Sequence, residues 1–102
     1  MTDMIRVRVT GPLVSDVRGF CAELAAQGYT PLSAANQVRV MAHLSRWLER
    51  HRLHPRELTP RRVAQFLRAR RRAGYTAWLS ERGLRPLLGY LRRLQVLPLA
   101  PR

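Results

Sequence analysis

The chain has 102 residues, 46% of them hydrophobic, which fits one globular domain with a modest core and argues against disorder over most of its length. It carries 19 arginines, no lysine and six acids, a formal net charge of +13, so the direct physical inference is a polyanionic partner. No apolar run approaches the roughly 18 residues of a membrane span, and the single cysteine, Cys21, excludes an internal disulfide.

The opening segment alternates Ile5, Val7 and Val9 with Arg6, Arg8 and Thr10, then meets Gly11-Pro12. That pattern predicts a short strand or extended N-terminal arm over residues 1–12. Arginines among alternating valines do not make a secretory signal, so a bacterial or archaeal cytoplasm, or a nucleus, fits this start. The place expected is the bacterial cytoplasm, in association with the nucleoid. Four helices are predicted next. The first spans about Leu13 to Gln27, stops at Gly28, and buries Val17, Phe20, Cys21 and Leu24. The second spans about Pro31 to Arg50, with Thr30 as cap and Pro31 in the first position, where no N–H is needed. It buries Val38, Met41, Leu44, Trp47 and Leu48. The third is capped by Thr59, opens on Pro60, runs to about Ala73, and buries Val63, Phe66 and Leu67. The fourth starts near Ala77 or Leu79, runs to about Gln95, and buries Leu84, Leu87, Leu88, Leu91 and Leu94. Pro86 falls inside that range, and it either kinks the helix or shifts its start. Residues 98–102, with Pro98 and Pro101, read as a tail or linker.

The chain repeats itself 46 residues on: Val17 aligns with Val63, Phe20 with Phe66, Gly28-Tyr29-Thr30 with Gly74-Tyr75-Thr76, and Val38 with Leu84. The repeating unit is a helical hairpin, so the fold expected is all-α, a compact four-helix bundle of two helical hairpins.

The charge is unevenly spread. Residues 1–36 hold three arginines and three acids, net zero, whereas residues 37–102 hold sixteen arginines and three acids, net +13. A GC-rich coding bias accounts for arginine in place of lysine, but not for a shortage of acids confined to one part. On the second helix Arg39, His43, Arg46 and Arg50 form a stripe. On the third, Arg61, Arg68 and Arg72 share one, with Arg62, Arg70 and Arg71 beside it. On the fourth, Arg82, Arg85 and Arg92 share another. Solvated basic faces usually alternate with acids at i, i+4. Like charges at that spacing repel by a few tenths of a kcal/mol each. Phosphates are the natural counterweight, and the helix N-termini at Thr30 and Thr76 add N–H donors for them.

Several pieces then fall in a familiar order. "FCAELAAQGYTPLSAANQVRVMAHLSRWLE" is followed by "ELTPRRVAQFLRARRRAGYT" and "GLRPLLGYLRRLQVLP". Together, over about residues 14–98, they resemble the N-terminal SAM-like core-binding domain of tyrosine recombinases, the phage integrases and related transposase-type recombinases. The resemblance implies a SAM-like domain over residues 13–97 that grips double-stranded DNA as one arm of a clamp. The other arm would be a C-terminal catalytic domain absent from this chain, with other recombinase protomers as further partners in a synaptic assembly. By motif position Thr30, Ser33, Gln37 and Arg85 match places the family turns toward DNA. Gln37 stands where an aromatic is common, and Pro86 departs from the pattern after Leu-Arg.

Arg39, Arg46, Arg82 and Arg85 are the foremost contact candidates, with Thr30, Ser33, Gln37, Arg68, Arg72, Thr76 and Arg92 completing the DNA-binding set. No catalytic role, metal or cofactor is expected in this chain. The family's chemistry needs a lysine, and there is none. His43-Leu44-Ser45-Arg46 spells His-x-x-Arg but lies on the wrong domain. His51 and His54 have no third ligand in reach of the sequence. Tyr29, Tyr75 and Tyr90 suit packing or capping. Two other functions stay open: a helical protein–protein module, for which exposed Leu32 or Trp78 would argue, and a stand-alone basic RNA-binding or regulatory protein.

Overall fold

The structure is a computed structural model, and it describes residues 8–75 and 82–94, with Arg82 described by its backbone only. The described residues form four α-helices, α1 (Val17–Ala26), α2 (Pro31–Arg50), α3 (Pro60–Arg72) and α4 (Arg85–Arg93), with short 3-10 turns at Val14–Asp16, Pro55–Glu57 and Arg82–Leu84. No strand occurs among them.

Local chemistry sets the helix limits. Thr30 and Thr59 take extended backbone and accept, through their hydroxyl oxygens, from the N–H groups of Ser33 and Arg62. A proline follows each cap and opens the helix. Helix α1 closes on Gly28, whose φ of 86° lets the Gly28 N–H reach the Ala25 carbonyl and the Tyr29 N–H the Leu24 carbonyl. Helix α3 closes the same way, with Gly74 at φ 93° and bonds from Gly74 to Arg71 and from Tyr75 to Arg70. The end of α2 uses the same pattern without a glycine. Arg52 sits at φ 55° while its N–H bonds Glu49 and that of Leu53 bonds Leu48.

Pro86 shifts the start of the fourth helix rather than kinking it. A 3-10 turn ends at Leu84, and Pro86 lies in the first turn of α4, where its missing N–H costs nothing. The range 76–81, where an earlier start was expected, lies outside the described residues, as does the tail from 95 onward.

Helix α2 is the centre of the molecule. Val38, Met41, Leu44, Trp47 and Leu48 are buried on it and join one core with Phe20 and Leu24 of α1, Val63 and Phe66 of α3, and Leu84, Leu87, Leu88 and Leu91 around α4. Leu94, expected in that core, is 48% exposed, because α4 ends at Arg93 and the helical register no longer turns it inward. Tyr90 packs on Phe20 with ring centroids 5.5 Å apart, and its hydroxyl lies over Gly19, leaving no room there for a side chain. Arg93 pairs with Glu23 at 2.9 Å, a second tie between α4 and α1. Each buried phenylalanine is worth about 3–5 kcal/mol against alanine.

Residues 1–7 of the expected N-terminal arm lie outside the described residues. Its end does not stand free: Val9 and Leu13 are buried in the core. Ser45, fully buried on α2, donates to the Thr10 carbonyl and accepts from the Leu13 N–H at 3.0 Å. Gly11 passes so close that a Cβ would sit 2.8 Å from the Ser45 carbonyl. The radius of gyration, 13.0 Å, matches the ~13 Å expected of a compact chain near this length.

Candidate nucleic-acid interface

The basic side chains divide into those that build the fold and those that face solvent. Arg62 pairs with Glu57 at 3.6 Å and donates to its carbonyl at 2.9 Å, closing the turn before α3. Arg93 is held by Glu23. These are the two arginine–carboxylate pairs among the described residues. Arg46, Arg50, Arg61, Arg68, Arg71, Arg72 and Arg85 are exposed, with no such pair among the described residues.

Arg70, read from the sequence as part of an outward face, is 3% exposed and belongs to the interior. The repeat explains its place: 46 residues earlier the same position is the core residue Leu24. Its Nη1 donates to Nδ1 of His43 at 2.6 Å, and its guanidinium lies 4.4 Å from the Tyr75 ring centroid. His43 in turn contacts the rings of Tyr75, at 4.8 Å, and Phe66, at 5.1 Å. Burial, and then the positive charges of Arg70, Arg46 and Arg50, pull the His43 pKa down to about 4. At neutral pH the ring is therefore uncharged, and Nδ1 is free to accept. His43 is a packing partner, not a member of an outward basic stripe.

The other candidates take the following places. Thr30 is exposed, but its hydroxyl oxygen is engaged in capping, and the N–H of Ser33 is the donor it accepts from at 3.2 Å. Gln37 is 8% exposed, and its Oε1 has no hydrogen-bond partner, so this residue lies inside rather than on the surface. Its inward turn follows from helix pitch: it lies three and four residues from the buried Val40 and Met41. Arg39 is exposed and donates to Asn36 Oδ1 at 2.6 Å, a bond that steadies the guanidinium at the surface. Arg85 opens α4 and is exposed, whereas Arg92 is half-buried with a buried, unpartnered Nε. Thr76 and the side chain of Arg82 lie outside the described residues.

Arg68 and Arg72 are brought together with residues that the sequence did not join to them. They line a cleft of about 380 Å³ between the end of α2 and the middle of α3. Trp47, Leu53 and Ala69 line it as well, together with His51 and Gln65. The ring of His51 stands edge-on to Trp47 with centroids 4.6 Å apart. Gln65, Arg68, Ala69 and Arg72 fall at i, i+3, i+4 and i+7, one face of α3, so this cleft was legible as a helix face but not as a concavity. His54, the other histidine of the connector, accepts from the Arg56 N–H and works as a cap with Glu57. Among the described residues no group of three His, Cys, Asp or Glu could hold a metal ion, and no helix is long and apolar enough to cross a membrane.

No protein-family model, curated protein or solved structure matches this chain. What its surface can do chemically rests on the guanidiniums themselves. Exposed arginines without carboxylate partners offer paired N–H donors in a fixed fork, which matches the oxygens of a phosphate or a carboxylate.

Proposed function

We propose that this chain is the double-stranded DNA-binding module of a site-specific tyrosine recombinase or integrase. In this reading it is a SAM-like helical domain that grips the duplex as one arm of a clamp. A C-terminal catalytic domain would form the other arm, and recombinase protomers would meet it in a synaptic assembly. The chain contributes grip and carries no strand-cleaving residues, and its place is the bacterial cytoplasm beside the nucleoid. One observation carries the proposal: Arg39 and Arg46 on α2, Arg68 and Arg72 on α3, and Arg85 on α4 are exposed, with no carboxylate paired to them among the described residues. Most protein–DNA hydrogen bonds go to phosphate and sugar, so these arginines act first as phosphate contacts. Gln37 leaves the contact set because it is buried, while Thr30 and Ser33 serve through the helix N-terminus they build. In isolation the module binds weakly, since its parent gains affinity by tethering a second domain to the same DNA.

The test is a charge reversal. Arg39→Glu combined with Arg85→Glu abolishes duplex binding by fluorescence anisotropy and leaves the helical circular dichroism unchanged. Retained binding contradicts the reading, and loss of helix shows instead that these arginines are structural. A second reading, a helical protein–protein module, is favoured by Leu32, which is 68% exposed at the start of α2. Self-association without DNA, removed by Leu32→Ser, would support it.

A further inference from the structure

We propose that the cleft between α2 and α3 receives a single unpaired nucleotide, with its phosphate on Arg68 and Arg72 and its base against His51 and Gln65. The proposal rests on the nucleic-acid reading above and goes beyond it in ligand class. A duplex is convex and rests on ridges, so exposed arginines along helices suffice for it and a cleft adds nothing. This cleft is concave, and its size of about 380 Å³ falls in the ~300–1,000 Å³ range of small-molecule pockets. Its chemistry also matches a nucleotide part by part. Arg68 and Arg72 are one helical turn apart on α3, both exposed, and no acid lines the cleft. Two guanidiniums at that spacing can share one phosphate. His51 offers an exposed ring whose position is set by its contact with Trp47, and bases stack on such rings without regard to sequence. Gln65 is exposed at the rim and carries both a donor and an acceptor for a base edge.

An acidic peptide would also satisfy the two arginines. The apolar surface available to it is small, however: Trp47 is only 6% exposed, and Leu53 and Ala69 are half-buried. A nucleotide needs one ring face and polar edges, which is what the cleft presents.

The experiment compares three labelled duplexes of one sequence: fully paired, carrying one unpaired thymidine, and carrying an unpaired abasic residue at the same place. The intact chain is expected to bind the thymidine duplex about tenfold more tightly than the other two, the size of one base–aromatic stack. His51→Ala with Gln65→Ala brings that ratio to about one and leaves fully paired binding unchanged, a separation that a purely electrostatic role would not produce. Gln65→Ala alone, at an exposed position on α3, lowers the ratio about threefold, the size of one hydrogen bond, and covers the case in which His51→Ala loosens the α2 end. Equal binding of all three duplexes, or a ratio that survives the variants, overturns the proposal while leaving duplex binding in place. Binding of none of them overturns both readings. An oligoglutamate peptide that competes only when His51 and Gln65 are present assigns the cleft to a protein partner and overturns this one.

Discussion

His43 shows how one residue can change its meaning between sequence and structure. Its spacing places it in line with Arg39, Arg46 and Arg50, yet its ring is packed among Arg70, Phe66 and Tyr75. A buried cation needs an acceptor, and neutral His43 supplies one to Arg70. The consequence for pH has a definite sign. The folded pKa is about 4, below the unfolded value of 6.5, so the unfolded chain takes up a proton first. The contribution is fully present above pH ~6.5 and is lost as pH falls toward ~4. With allowance for the solvent-facing edge of the ring, the loss is on the order of 1–2 kcal/mol. Urea denaturation at pH 7 and pH 4.5 should show it, and His43→Gln, which keeps an acceptor but cannot titrate, should remove most of the difference. An equal acid loss in His43→Gln would place the effect elsewhere. Arg70 itself was misread because its neighbours Arg68, Arg71 and Arg72 are outward, and only its repeat partner Leu24 marks the position as interior.

At the scale of elements, the capping chemistry was the most legible part of the fold. Thr30-Pro31 and Thr59-Pro60 open α2 and α3 where the sequence puts them, and Gly28 and Gly74 close α1 and α3. The third closure of the same kind, at Arg52, was invisible because arginine carries no turn preference and strain does not show in a sequence. It leads to a prediction. Arg52 is exposed and holds a left-handed backbone that costs a side chain about 1–2 kcal/mol. Arg52→Gly recovers part of this against glycine's greater unfolded entropy, a net gain of about 0.5–1 kcal/mol. Thermal unfolding should rise by a few degrees, and a fall would mean that the Arg52 side chain makes a contact of its own. The fourth helix was the least legible element. Pro86 is compatible with either a kink or a late start, and only the 3-10 turn ending at Leu84 decides between them. Ser45 was missed too, since one hydroxyl in an apolar helix face gives no sign that residues 10–13 lie across it.

For the whole molecule, the all-α class and most of the core could be read from helical periodicity, because a 3.6-residue apolar stripe has only one way to be buried. The candidate interface was legible in amount of charge and much less in arrangement. Periodicity separates an outward from an inward face on one helix, but it does not say which faces of different helices meet. Hence Arg68 and Arg72 were found, while the cleft they share with Trp47, His51 and Gln65 was not. Two of the arginines in the basic part are spent on Glu57 and Glu23, and one on His43, so the net charge overstates what a partner can use. The five exposed arginines proposed as contacts, Arg39, Arg46, Arg68, Arg72 and Arg85, set the expected number of phosphates at five or fewer.

Counterion release turns that number into a slope. Duplex binding measured by anisotropy from about 50 to about 200 mM salt should give log K falling linearly with log salt, at about −0.9 per phosphate engaged, thus a slope between roughly −3 and −4.5. Replacing Arg68 and Arg72 together with alanine should make the slope shallower by about one to two phosphates, one if the pair shares a phosphate and two if each holds its own. An affinity for duplex DNA that does not change with salt would contradict the claim that unpaired guanidiniums on α2, α3 and α4 are what hold the partner.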